Sequence, residues 1–234
     1  MNGPVALVGA GEFTPAMAAV DRGLLASTGV ARPRVAVIPT ASWPDGEDVF
    51  RRWGAMGEAH FAALGAEVEQ VLVKDRSDAD DPACAQAAGE ADLIYFSGGK
   101  PDHLLAALDG SALWSAVHAA YERGAVLAGC SAGAMVLGGH QVEISRRIRF
   151  PVHWAPSLGV VPSVAVLPHY DRFPETIAAL FAMGAPRGTL VLGIDEDTAA
   201  IGRDGSFTVE GRSGVTVWHG RERKRYRAGD TFRV

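Results

Sequence analysis

Short apolar runs alternate along this chain with longer stretches in which apolar positions recur every three or four residues. The runs, bounded by Gly, Pro or Asp, read as buried strands, and the recurring positions read as helices with one inward face. Strands are predicted over residues 5–8, 34–39, 68–73, 93–96, 125–128, 164–167 and 190–194. Helices are predicted over 15–27, 47–64, 82–89, 101–108, 111–123 and 174–183, with a further one opening after Ser131. Asp109-Gly110 breaks two of these helices apart. Such alternation implies an α/β fold with one mostly parallel sheet and helices on both faces. Residues 138–162, rich in Arg, Pro and Gly, read as irregular. From Thr198 onward β-hairpins are expected: a turn at Arg203-Asp204-Gly205-Ser206 joins 199–202 to 207–210, and another lies at 211–214. No repeat or linker divides the chain, so residues 1–234 are expected to form one domain.

Composition narrows the function classes. The chain has 234 residues, 48% of them hydrophobic, which is enough for a well-buried core. Its net charge is −5, and the basic cluster Arg221-Glu222-Arg223-Lys224-Arg225-Tyr226-Arg227 reads as a solvated turn and edge strand. No nucleic-acid partner is expected. No apolar stretch is long enough to span a bilayer, so no membrane partner is expected. Met1-Asn2-Gly3-Pro4 lacks the charged and apolar regions of a signal peptide, and a cytoplasmic protein is expected. Cys84 and Cys130 have no CxxC spacing, so neither a disulfide framework nor a cysteine zinc site follows. Gly9-Ala10-Gly11 lacks the third glycine of a dinucleotide fingerprint, since Thr14 stands there. It reads as a tight strand–helix turn. No cofactor and no metal are expected.

The stretch that carries chemistry is Gly129-Cys130-Ser131-Ala132-Gly133. It follows the apolar run Ala125-Val126-Leu127-Ala128 and precedes Ala134-Met135-Val136-Leu137. A strand, a sharp Gly-x-Ser-x-Gly turn and a helix start make a nucleophile elbow that projects the Ser131 hydroxyl. The Ala132 N–H, at the helix N-terminus, can donate to an oxyanion, and the Gly98-Gly99 turn can supply a second backbone donor.

A serine hydroxyl needs a general base. Of seven histidines, His60 and His118 read as surface or boundary positions in helices, His103 stands at a helix start, His140 and His153 lie in the irregular stretch, and His219 lies in the terminal hairpin. His169 follows the predicted strand 164–167, where open α/β sheets gather their chemistry. Asp195-Glu196-Asp197 follows the strand 190–194, and one of these carboxylates suits the third role, orienting the imidazole. The resulting order, Ser then His then acid, differs from that of α/β-hydrolases.

These residues resemble peptidase family S51, whose members include aspartyl dipeptidases and cyanophycinases. The resemblance covers nearly the whole chain. Its anchors are Phe96-Ser97-Gly98-Gly99, Gly129 to Ala134, Leu167-Pro168-His169-Tyr170 and Gly193-Ile194-Asp195-Glu196-Asp197-Thr198-Ala199. It implies a class I glutamine amidotransferase-like, flavodoxin-like fold with Ser131 as nucleophile and His169 as base. It implies Glu196 as the acid on the cyanophycinase-like pattern, or Glu143 on the dipeptidase-like one. Gly99 and Ala132 are the implied oxyanion donors.

The His segment is closer to aspartyl dipeptidases, so a serine exopeptidase acting on short Asp-X peptides is the leading expectation. A subsite for an acidic side chain needs cations. Lys100, Arg172 and Arg147, with Arg146 and Arg149 beside it, are the candidates. A cyanophycinase-like hydrolase of β-aspartyl peptides is the alternative. A non-catalytic binding module on the same scaffold is the alternative of another class. The resemblance also implies a homodimer, and Trp43, Phe50 and Trp53 could serve either helix core or interface.

Overall fold

The structure is a computed structural model that describes residues 2–143 and 152–234. Its first part alternates as expected. It runs β1 (Val5–Val8), α1 (Ala18–Ser27), β2 (Arg34–Ile38), a 3-10 turn (Thr40–Asp45), α2 (Glu47–Ala63), β3 (Glu67–Gln70), α3 (Arg76–Ala79) and α4 (Pro82–Gly89). It continues with β4 (Leu93–Phe96), α5 (Pro101–Leu108), α6 (Ala112–Glu122), β5 (Val126–Cys130) and α7 (Ala132–Leu137). Then follow β6 (Gly138–Val142), β7 (Trp154–Pro156), β8 (Val161–Leu167), a 3-10 turn (Tyr170–Arg172), α8 (Glu175–Gly184) and β9 (Leu190–Ile194). The chain ends in β10 (Thr198–Arg203), β11 (Ser206–Gly211), β12 (Gly214–His219), β13 (Glu222–Arg227) and β14 (Thr231–Arg233).

These strands form two sheets where the pattern implied one. The first has the order β14-β11-β10-β1-β5-β4-β2-β3, parallel from β1 to β3 and antiparallel beyond β1. The second has the order β13-β12-β9-β8-β6-β7, with only β6, β8 and β9 parallel. "Mostly parallel" therefore describes only the β1-β5-β4-β2-β3 part of the first sheet. The segment read as irregular contributes β6 and β7, which no apolar alternation marks. The 203–206 turn closes the β10–β11 hairpin, but the 211–214 turn carries the chain from the first sheet to the second. The basic cluster forms the exposed edge strand β13, as a charged edge should.

Burial follows side-chain alternation. One face of the first sheet packs Ala6, Val8, Val35, Val37 and Tyr95 against Met17, Leu24 and Phe61 of the α1–α2 side. Its other face shares a core with the second sheet, where Leu7, Ile94, Phe96 and Leu127 meet Val164, Val166, Leu192 and Ile194. The alternate residues Ala165, Leu167 and Val191 turn outward to Ala178 and Phe181 of α8. Phe50 belongs to the core at 1% exposure. His60 is half-buried, the boundary position expected, with its Nε2 2.8 Å from the buried Asp21 carboxyl. Burial pushes the Asp21 carboxyl up, and its pairing with His60 opposes that.

Candidate active site

The turn after β5 is strained at the serine. Ser131 has φ 50° and ψ −108°, a region rarely held by a residue with a side chain and costing on the order of 1–3 kcal/mol. The surroundings enforce it. A Cβ on Gly129 would collide with the backbone of Gly133, and one on Gly133 with the carbonyl of Phe96. The Ser131 N–H donates to Val8 O at 2.9 Å, and Ser131 O accepts from Met135 N–H at 3.0 Å as α7 begins. The Ala132 and Gly99 N–H groups find no protein acceptor among the described residues. Both residues line the cavity in front of Ser131.

His169 and Glu196 arrive from the second sheet, at the carboxyl ends of β8 and β9, where Leu167 pairs with Gly193. The Ser131 Oγ lies 3.1 Å from His169 Nε2. His169 Nδ1 lies 3.0 Å from Glu196 Oε1. With a carboxylate on Nδ1, that nitrogen carries the proton and Nε2 is free to accept the serine hydroxyl. Glu196 Oε2 accepts from Arg172 Nε at 3.1 Å and Nη2 at 2.8 Å, and the Glu196 N–H donates to Asp171 Oδ1 at 2.9 Å. The Arg172 guanidinium, and then His169, hold the Glu196 carboxyl below the usual carboxylate range.

Of the three adjacent carboxylates, only Glu196 reaches the imidazole. Asp195 is buried and tied to Arg225, Ser213 Oγ and Gly214 N–H. Asp197 faces Arg212 at 3.5 Å. Glu143 stands at the end of β6, where its N–H donates to His153 O at 3.1 Å.

The three segments meet around the end of β1. Gly9 O accepts the His169 N–H at 3.3 Å, and Ala10 O accepts the Asp197 N–H at 3.1 Å. A Cβ on Gly9 would overlap the carbonyls of Ile194 and Asp195, and one on Gly11 would overlap the Asp197 carboxylate. The Gly9-Ala10-Gly11 turn is thus narrow so that the 195–197 crossing can pass over it.

Sequence reasoning missed Glu12, which lies buried behind the serine. Its Oε1 accepts the Gly98 N–H at 2.8 Å and its Oε2 accepts the Cys130 thiol at 2.8 Å. Burial, with Glu12 beside it, pushes the Cys130 thiol well up, so it stays protonated and donates. One carboxylate therefore ties together the two backbone turns that carry Gly99 and Ala132. The available signal was an acidic residue inside a glycine-rich turn at a strand end. A side chain on Gly98 would crowd both Glu12 Oε1 and Ser131 Cβ.

In front of the serine is a cavity of about 400 Å³ with largely apolar walls. Arg172 lines it, but with two nitrogens committed to Glu196. Lys100 does not line it; its Nζ lies 3.4 Å from Asp45 Oδ1. Arg147, with Arg146 and Arg149, lies outside the described residues. Among the described residues no group of three or more His, Cys, Asp or Glu could hold a metal ion. No helix there is long and apolar enough to cross a membrane.

The chain is similar to known peptidases. The model of peptidase family S51 matches residues 5–209. A cyanophycinase of Synechococcus elongatus is 34% identical over 193 residues, 78% of this chain. One from Thermosynechococcus vestitus matches equally, and this chain spans 58% of the length of each. A cyanophycinase of Geminocystis herdmanii is 30% identical over 80% of this chain and 69% of its own length. Among solved structures, a peptidase from an acI-B1 actinobacterium superposes with a TM-score of 0.89 at 30% identity. That match covers 100% of this chain and 98% of the other. A putative peptidase E protein from Listeria monocytogenes shares the fold, with a TM-score of 0.63 at 17% identity over 91% of this chain and 100% of its own.

Proposed function

The chain belongs to peptidase family S51, and from that premise we propose that it is a serine-type peptidase that cleaves short peptides through an acyl-enzyme. Ser131 Oγ attacks the scissile carbonyl while His169 Nε2 takes its proton. The Gly99 and Ala132 N–H groups receive the negative charge that forms on the carbonyl oxygen. His169 then hands the proton to the departing amine, and a water molecule, deprotonated by the same nitrogen, releases the acyl group. Glu196 keeps the imidazole in its tautomer and balances the imidazolium charge. The observation that carries this reading is the hydrogen-bonded sequence from Ser131 through His169 to Glu196, at 3.1 and 3.0 Å.

The deciding experiment is hydrolysis of Asp-Leu, Glu-Leu, Ala-Leu and β-Asp-Arg by the wild type beside Ser131→Ala. Serine-dependent cleavage supports the assignment, and undiminished cleavage by the variant removes it. A preference for N-terminal aspartate draws no support from Lys100 or Arg172, which are paired with Asp45 and Glu196. A second reading, hydrolysis of β-aspartyl peptides, is supported by the matched relatives that bear the name cyanophycinase. Serine-dependent cleavage of β-Asp-Arg in the same panel would favour it.

A further inference from the structure

Resting on the assignment of Ser131 as nucleophile, we infer that the cavity beside it is a subsite for an apolar side chain, so that favoured substrates carry a residue such as leucine, methionine or phenylalanine next to the scissile bond. The cavity opens directly onto Ser131, His169, Gly99 and Ala132, so whatever fills it adjoins the reacting atoms. Its volume, about 400 Å³, lies in the range of small-ligand sites. Its walls are Pro101, Met135, Val142, Leu167, Phe173 and Phe181, contributed by α5, α7, β6, β8, the loop before α8 and α8 itself. Val142, Leu167 and Phe181 belong to the buried cluster under α8, with Phe173 packed against it, and Phe173 and Phe181 meet edge to face at 6.2 Å. The walls are therefore an opening of the core.

Charge argues the same way. Besides the His169 imidazole, Arg172 is the one ionisable side chain lining the cavity among the described residues. Its Nε and Nη2 both face Glu196 Oε2. A carboxylate entering the cavity would surrender its water and meet only the Arg172 N–H groups that Glu196 leaves over, on a guanidinium whose charge Glu196 already balances. An aliphatic side chain would lose only unfavourable contact with water.

The test is a two-way dipeptide panel, X-Ala and Ala-X, with X as Ala, Leu, Phe, Asp or Lys. At one of the two positions Leu or Phe should exceed Ala in kcat/KM by about 10- to 100-fold, the discrimination a few buried carbons provide. Phe173 is half-buried, and Phe173→Lys should reduce that advantage to under about threefold while improving Asp relative to Leu. If that variant fails to fold, Phe173→Ser should reduce the advantage alone. Aspartate preferred at both positions, or Leu no better than Ala at either, overturns the inference.

A second arm separates this outcome from failure of the peptidase assignment. Fluorophosphonates bearing an isobutyl or a carboxyethyl group react with a nucleophilic serine. The P–O bond forms, the P–F bond breaks, and fluoride leaves as His169 takes the hydroxyl proton. Faster labelling of Ser131 by the isobutyl reagent supports the apolar subsite even if no dipeptide is cleaved. Faster labelling by the carboxyethyl reagent refutes it. Neither labelling nor cleavage refutes both assignments.

Discussion

Behind Ser131 the protein buries the Glu12 carboxyl; in front of it the Glu196 carboxyl, which meets His169, stays near water. Glu12 is 7% exposed and grips two backbone turns, through Gly98 N–H and the Cys130 thiol. The His169 and Glu196 side chains are 42% and 31% exposed, and Arg172, which steadies Glu196, is 71% exposed. The contrast separates two tasks. Backbone donors must be held still, and buried hydrogen bonds do this at a cost in desolvation that only a folded core can offset. A proton relay must change charge during each cycle, and water and the Glu196 carboxylate make the imidazolium tolerable. Changes behind the serine should therefore cost stability and activity together, whereas changes in front should cost chiefly activity.

The largest expected effect is in front. Ser131→Ala should lower kcat by about 10⁶-fold while its urea unfolding midpoint stays where it was. A matching loss of stability would erase the contrast. Next comes Glu196→Gln, which keeps the shape but misorients the imidazole, and should lower kcat by about 10⁴-fold. Glu143→Gln, assayed beside it, should change kcat by no more than a few-fold. If the two results exchange places, the acid has been assigned to the wrong residue.

Glu12→Ala probes the other side. It leaves the Gly98 N–H and the Cys130 thiol buried without their acceptor, so unfolding should become easier by about 1–3 kcal/mol. The freed Gly98-Gly99 turn should also lower kcat by about 10²-fold with little change in KM, as loss of one oxyanion donor does. Denaturation and steady-state kinetics on one preparation would check both, and an effect on only one of them would contradict the coupling of stability to activity behind the serine.

The smallest effect concerns pH. The Glu196 carboxyl is held below its ordinary range, first by Arg172 and then by His169. Its ionised form therefore favours the folded site above the unfolded carboxylate pKa, and that contribution disappears as pH falls through the lower folded value. Arg172→Gln should move the Glu196 titration midpoint upward, so the site should fail at a higher pH on the acid side. Carbon-13 NMR of the labelled Glu196 carboxyl would read the midpoint directly; an unmoved midpoint would mean that Arg172 does not set it.

The two sides also differed in how much of them the sequence disclosed. The elbow was legible because Gly129 and Gly133 are local requirements of one turn. His169 and Glu196 were legible because each follows an apolar strand, and β1, β4 and β5 were legible because they are apolar throughout. Glu12 was not, since its burial depends on partners 86 and 118 residues away. Arg172 reads as a cation for substrate until its partner 24 residues further on is placed beside it. The second sheet was hidden for a similar reason. Gly138–Val142 reads Gly-Gly-His-Gln-Val, with no alternation to reveal a strand, and its pairing with β8 arises from tertiary contact. Division of the strands between two sheets is likewise a property of long-range pairing, invisible to a periodicity of two.

The central claim is that Ser131 carries the acyl group. It is tested most directly by mixing the protein with a leucyl p-nitrophenyl ester, whose fast acylation lets the intermediate accumulate, then quenching in acid and measuring intact and peptide masses. The account predicts a gain of one leucyl group on the peptide containing Ser131, absent in Ser131→Ala. Continued turnover with no acyl mass on that peptide, or an acyl group on another residue that persists in Ser131→Ala, would contradict it.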